Sequence, residues 1–127
     1  MKKVLLGLVI AIIMNGSVFA CKTPEELMDN YFSDFNAQDI IMVERNFSFP
    51  LMVIQNGKKT IHNDIYTFLN FKKIKKTGWS ESVINSLTLL LEKNKSAITQ
   101  LNFSRINNDG NVYLTSDVNY ILIKENE

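Results

Sequence analysis

Few side chains in this sequence can do acid–base or metal chemistry. His62 is the sole histidine and Cys21 the sole cysteine, so imidazole catalysis would rest on one residue. No Ser-His-Asp grouping or zinc site can be assembled around either. The most informative charged pair is Glu81 and Arg105, near the ends of two extended stretches. An ion pair closing the end of a sheet is the ordinary structural reading of such a pair. In the functional reading, Arg105 holds a carboxylate or enolate, and Glu81 accepts a proton once burial has raised its pKa. No catalytic residue is assigned on this basis; Glu81 and His62 are the two side chains that could serve as a base. The ligand-pocket candidates are Trp79, Asn85, Arg105, Ser116 and Tyr31, and no metal or cofactor is expected.

Three helices are predicted to position these groups. Thr23-Pro24-Glu25-Glu26 opens the first: threonine caps, proline suits the first turn, and Glu26 completes a capping box. Leu27, Met28, Tyr31, Phe32 and Phe35 follow at helical spacing. Asn36 and Asp39 repeat the capping logic for a short second helix reaching about Arg45, with Ile40, Ile41 and Val43 to bury. A third helix, capped by Asn63 or Asp64, carries Ile65, Phe68, Leu69 and Ile74. Its end is crowded by Lys72, Lys73, Lys75 and Lys76, a cluster that the helix dipole alone favours.

Strands account for the remainder. The run from Phe47 to Gln55 returns through Asn56-Gly57, a strong hairpin signal, placing Val53 opposite Thr60 and Leu51 opposite His62. Three long strands follow: Trp79 to Leu91, Ser96 to Ile106 and Val112 to Ile123. A two-residue turn at Asp109-Gly110 sets Arg105 against Leu114, Phe103 against Ser116, Leu101 against Val118, Thr99 against Tyr120 and Ala97 against Leu122. Slipping this register by one residue would set apolar sides against polar ones. A three-residue loop of Lys93, Asn94 and Lys95 then predicts the covered rows Leu91-Ala97-Leu122, Leu89-Thr99-Tyr120, Leu87-Leu101-Val118, Asn85-Phe103-Ser116 and Val83-Arg105-Leu114. Polar residues gather at the Trp79 end of this face, where Glu81 and Arg105 become diagonal neighbours. The other face, with Ser80, Ser82, Ser86, Asn102, Ser104, Asp117 and Asn119, is predicted to meet water.

The N-terminus reads as a secretory leader: Met1-Lys2-Lys3, an apolar run from Val4 to Met14, and Val18-Phe19-Ala20 before a cut. As a helix this run of 11 residues would be about 16 Å long, roughly half of a hydrocarbon core. The expected organisation is a leader over residues 1–20 and one domain over 21–127. Cys21 directly follows the cut, so a lipid anchor there is the alternative to an ordinary exported protein with a leftover thiol. The expected location is the bacterial periplasm or outside the cell, with contact to the membrane only through the leader or a lipid on Cys21. Without Lys2 and Lys3 the chain holds 12 basic and 13 acidic side chains, a balance that does not suit nucleic acid.

Helix, helix, hairpin, helix and a long antiparallel sheet resemble the nuclear-transport-factor-2-like superfamily, including its SnoaL-like members. The resemblance spans residues 23 to 124 and is carried by TPEELMDNYFSDF, FPLMVIQNGK and SAITQLNFSRINNDG. It implies an α+β cone, a curved antiparallel sheet wrapping three helices in the order α-α-β-β-α-β-β-β, with a pocket at its wide end. Family members commonly add a last strand after the phrase that ends here with Lys124-Glu125-Asn126-Glu127, so this chain departs from the pattern along one pocket wall. The first expectation is a non-catalytic exported domain binding a small apolar or carboxylate-bearing molecule, oriented by Arg105 and Asn85. The second is an isomerase or dehydratase using Glu81 or His62, and the third a homodimer joined through the outer sheet face. A filled core without a cavity above about 300 Å³ would remove the first two.

Overall fold

The computed structural model describes residues 8–14 and 22–124. Its first helix, α1 (Pro24–Asn36), begins as the capping box requires. Thr23 Oγ1 accepts from the Glu26 N–H at 3.1 Å, and the Glu26 carboxylate accepts from the Thr23 N–H at 2.9 Å. That backbone hydrogen bond holds the Glu26 carboxyl below its ordinary pKa. Helix α2 (Ile40–Glu44) is capped by Asp39, whose carboxylate accepts from the Met42 N–H. Asn36 has a different task from the cap expected of it: its amide is bonded to the backbone of Ser82, 46 residues away.

The hairpin of β2 (Leu51–Gln55) and β3 (Lys58–His62) has the predicted register, Leu51 against His62 and Val53 against Thr60. Its turn places both Asn56 and Gly57 at positive φ, the backbone geometry a two-residue hairpin needs. The expected third helix is instead two short ones, α3 (Ile65–Phe68) and α4 (Phe71–Lys75). Leu69 is extended and buried between them, and the Asn70 side chain caps α4 by accepting from the Lys73 N–H. Burying Leu69 while capping at Asn70 breaks the apolar period that had suggested one helix.

The long strands are β4 (Trp79–Lys93), β5 (Ser96–Asn107) and β6 (Val112–Lys124). All five predicted pairs between β5 and β6 are present, from Arg105 against Leu114 to Ala97 against Leu122. The turn is nevertheless longer than Asp109-Gly110 alone: the Asn107 N–H donates to the Asn111 carbonyl, and Gly110 takes the positive φ. One extra residue before Leu114 restores the phase, so Ile106 pairs with Val112 and Arg105 with Leu114.

Against β5, strand β4 departs from the simple ladder. Its register shifts between Trp79 and Glu81, Ile84 and Ser86, and Leu89 and Leu91, placing bulges at Ser80, Asn85 and Leu90. Leu87-Leu101 and Leu89-Thr99 pair as expected. The other rows change: Ala97 faces Glu92, Phe103 faces Ile84, and Arg105 faces Ser82. Ser82 is therefore buried on the helical side rather than wet, and Leu91 is exposed. A bulge bends and twists its strand locally, and three of them curve β4 around the helical layer.

The outer face is polar along its middle. Asn85 Nδ2 donates to Asn102 Oδ1 and Ser104 Oγ, Asn102 Nδ2 donates to Asp117, and the hydroxyls of Ser104 and Thr115 share a hydrogen bond. The inner face and the helices enclose the core, with Met28, Val43, Leu51, Ile65 and Leu101 fully buried. Burying a side chain such as Leu101 contributes about 1.5–3 kcal/mol. Tyr31 stands edge-on to Phe32, Phe35, Phe47 and Tyr120, the orientation the ring quadrupoles prefer.

The apolar run expected as the heart of a leader forms strand β1 (Leu8–Met14). It lies antiparallel to β2 and parallel to β6, completing a sheet of order β3-β2-β1-β6-β5-β4. The Val/Ile-rich segment LVIAIIM suits a strand flanked on both sides. The element order thus gains a strand and a helix over the expected α-α-β-β-α-β-β-β. The predicted cut after Ala20, and Cys21 with its lipid alternative, lie outside the described residues.

Candidate functional site

A cavity of about 510 Å³ opens between the helices and the concave side of the sheet, within the range of small-molecule sites. Helix α1 supplies Tyr31, Phe32 and Phe35, while α3, α4 and the residues joining them supply Phe68, Leu69 and Ile74. Strand β5 contributes Phe103 and Arg105, β6 contributes Ser116 and Tyr120, and Lys73 stands at the edge. Phe103 packs against Phe32 with ring centroids 6.0 Å apart. The body of the chamber is therefore aromatic.

Its polar groups are few and converge. Arg105 is half-buried, and its Nε is covered but has no hydrogen-bond partner. The Tyr31 and Tyr120 hydroxyls bond to one another; burial pushes both phenols above their ordinary pKa, while the nearby Arg105 charge acts in the opposite sense. Two neutral hydroxyls and a cation thus share one wall. The lining among the described residues includes Arg105 and Lys73 but no carboxylate and no imidazole. An unpaired guanidinium donor in an apolar setting is a ready acceptor of an anion, and a carboxylate fits the fork in two-point fashion.

Of the residues singled out from the sequence, Tyr31, Arg105 and Ser116 line this cavity; Trp79 and Asn85 do not. Trp79 is ordinary core, stacked near Phe35 and Phe71, with its indole N–H donated to Ser82 Oγ at 2.9 Å. Asn85 occupies a bulge and bonds across the outer face, so it cannot orient a ligand inside. The bulge at Ser80 places Glu81 opposite Ile106, exposed, and no ion pair joins it to Arg105. His62 is not itself a lining residue, but its 3.1 Å hydrogen bond with the Thr67 hydroxyl and its packing on Phe68 put it directly behind two that are. Tyr120 and Phe103 were in the predicted covered rows, and their shared row position with Thr99 and Ser116 was the signal that could have singled them out. Among the described residues no group of three His, Cys, Asp or Glu is placed to hold a metal ion, and no helix is long and apolar enough to cross a membrane.

A curved, mostly antiparallel sheet closed over helices, with its cavity on the concave side, defines an α+β cone of the nuclear-transport-factor-2-like type. The model of the NTF2-like protein family DUF6841 matches residues 24–127, and the chain belongs to that family. Among solved structures, an NTF2-like protein of unknown function from Exiguobacterium sp. 255-15 is similar at 18% identity and a TM-score of 0.46. The match covers 76% of this chain and 95% of that one. No curated protein matches.

Proposed function

We propose that this NTF2-like domain is exported behind its N-terminal leader and binds a small molecule with an apolar body and a carboxylate, seated in the cavity with the carboxylate on Arg105. The buried, partnerless Nε of Arg105 beside an aromatic chamber carries this reading. Ser116 and the Tyr31–Tyr120 hydroxyl pair supply further polar contacts at the same wall. A proton-transfer reaction with Glu81 or His62 as base draws no support from their positions outside the lining. Self-association through the sheet is a second reading, favoured by exposed Leu90, Leu91 and Ile123 at one end of it. Sedimentation of the purified chain tests that reading.

Titration calorimetry with a series of aromatic and medium-chain carboxylates, each against its methyl ester, tests the pocket. Acids that bind while their esters do not support it; equal binding of both, or of neither, removes the role given to Arg105. The mass of the protein recovered from outside the cytoplasm tests export: a chain beginning at Cys21, with or without lipid, is expected.

A further inference from the structure

The charges of the domain are unevenly placed. Residues 58–76 hold six lysines against one acid, Asp64, whereas the rest of residues 22–127 holds six basic and twelve acidic side chains. A net +5 thus sits in 19 residues of a domain whose remainder carries −6. All six lysines are exposed, and the Asp64 carboxylate is engaged at the start of α3, where it accepts from the Thr67 N–H. The dipole of α4, five residues long, favours cations at its own end but does not account for Lys58 and Lys59 on β3.

The same segment forms the rim of the cavity. Among the described residues, six of the lining are exposed: Gln55, Tyr66, Thr67, Asn70, Lys73 and Leu114. Four of them lie within 58–76, and Gln55 faces Lys58 across the β2–β3 ladder. Tyr66 is 67% exposed and Leu114 39%, so a ring and an aliphatic side chain stand in water at the same mouth as the cations. A rim that is cationic and apolar at once matches the headgroup layer of an anionic bilayer. Lipid phosphates attract the ammonium groups, and the apolar side chains settle at the acyl boundary. Tyrosine suits that depth because one end of it is apolar and the other wet. A nucleic acid would engage the lysines but would leave Leu114 without a role.

We propose that the cavity mouth docks on an anionic membrane surface, with Tyr66 and Leu114 inserted and Lys58, Lys72, Lys73 and Lys76 over the phospholipid headgroups. The acidic remainder is repelled by the same surface, so the domain meets it mouth first. Docking stands on charge and exposure, and is independent of what the cavity holds.

Cosedimentation of the full-length chain with vesicles tests the docking, in a Cys21→Ser background that takes any lipid on that residue out of the comparison. Binding is expected to vesicles of equal parts phosphatidylglycerol and phosphatidylcholine, to weaken as salt is raised, and to be slight with phosphatidylcholine alone. Lys72→Glu with Lys76→Glu should lower it about tenfold or more. Lys93→Glu with Lys124→Glu makes the same change of net charge at the far end of β5, where Lys93 pairs with Ser96 and the Lys124 N–H donates to the Lys95 carbonyl. That pair should lower binding far less. Tyr66→Trp places a reporter at the mouth, since the chain's one native tryptophan, Trp79, is 2% exposed. Its emission should move to shorter wavelength when the mixed vesicles are added. Equal binding to phosphatidylcholine alone, equal loss in the two lysine pairs, or binding without an emission shift overturns the docking surface. Tighter binding to duplex DNA than to the vesicles at the same salt overturns the membrane as its partner. None of these readouts depends on a carboxylate binding at Arg105, so the two proposals fail separately.

Discussion

The side-chain amide of Asn36, at the end of α1, closes on the backbone of Ser82 with two hydrogen bonds of 2.8 Å, one donated and one accepted. It ties the first helix to β4, an edge strand of the sheet, between two of the bulges and at a residue that keeps its pairing with Arg105. Asn36→Ala leaves a part-buried N–H and C=O without partners and is expected to cost about 1–3 kcal/mol. Asn36→Asp keeps the acceptor for the Ser82 N–H but places a carboxylate against the Ser82 carbonyl, and should destabilise at least as much. Urea denaturation of the two variants checks both.

Thr99 is fully buried, and its hydroxyl has no partner. Thr99→Val keeps the branched shape and removes the unsatisfied group, so stability should be unchanged or higher by up to about 1 kcal/mol. Thr99→Ala should instead lower it, because a methyl-sized void replaces the side chain. The denaturation midpoints, compared at constant slope, separate the two effects.

Tyr31 and Tyr120 are both held protonated by burial, with pKa values above the ordinary phenol range in the fold. Because the folded value is the raised one, their contribution to stability is complete below the unfolded pKa of about 10 and is lost as pH climbs above it. The phenolate absorbance of Tyr31 and Tyr120 should rise only with alkaline unfolding. Stepwise absorbance titration alongside circular dichroism measures whether the two events coincide.

Arg105 and Lys73 should separate in any carboxylate-binding assay. Arg105→Met loses a charge-assisted hydrogen bond worth about 1.5–3 kcal/mol, which is a drop of roughly 10- to 150-fold in affinity. The ligand-free domain should be no less stable for the change, because an unpartnered donor is removed from a covered position. Lys73 is exposed at the edge, so Lys73→Ala should weaken binding several-fold at low salt and very little at physiological salt. Calorimetry at two ionic strengths resolves the pair.

The parts of the fold written in local chemistry were legible. Thr23 and Glu26 announce α1, Asn56-Gly57 fixes the hairpin, and apolar alternation fixes β5 on β6 through Leu101 and Val118. Tyr31, Arg105 and Ser116 reached the cavity because their strand and helix positions follow from those signals. Asn85 and Glu81 did not, since both lie on β4, where each bulge reverses which side a residue faces and polar Asn or Ser at a bulge looks like any other strand residue; Trp79 keeps the helical side but packs as core against Phe35 and Phe71. The split at Leu69-Asn70 was hidden for a similar reason: a cap and a buried leucine imitate a continuous helical period. Strand β1 was obscured because an apolar, Val/Ile-rich segment after two lysines satisfies the demands of a leader and of a central strand equally.

The bulge at Asn85 gives its position a meaning that the asparagine side chain does not convey. Replacing the residue touches only hydrogen bonds on the wet side. Excising it would close the ladder without changing a pairing, Ile84 still opposite Phe103 and Ser82 opposite Arg105, and would remove the bend that the extra residue puts into the strand. At that site a one-codon deletion and a point substitution are changes of different kinds, one to the strand's curvature and the other to its decoration.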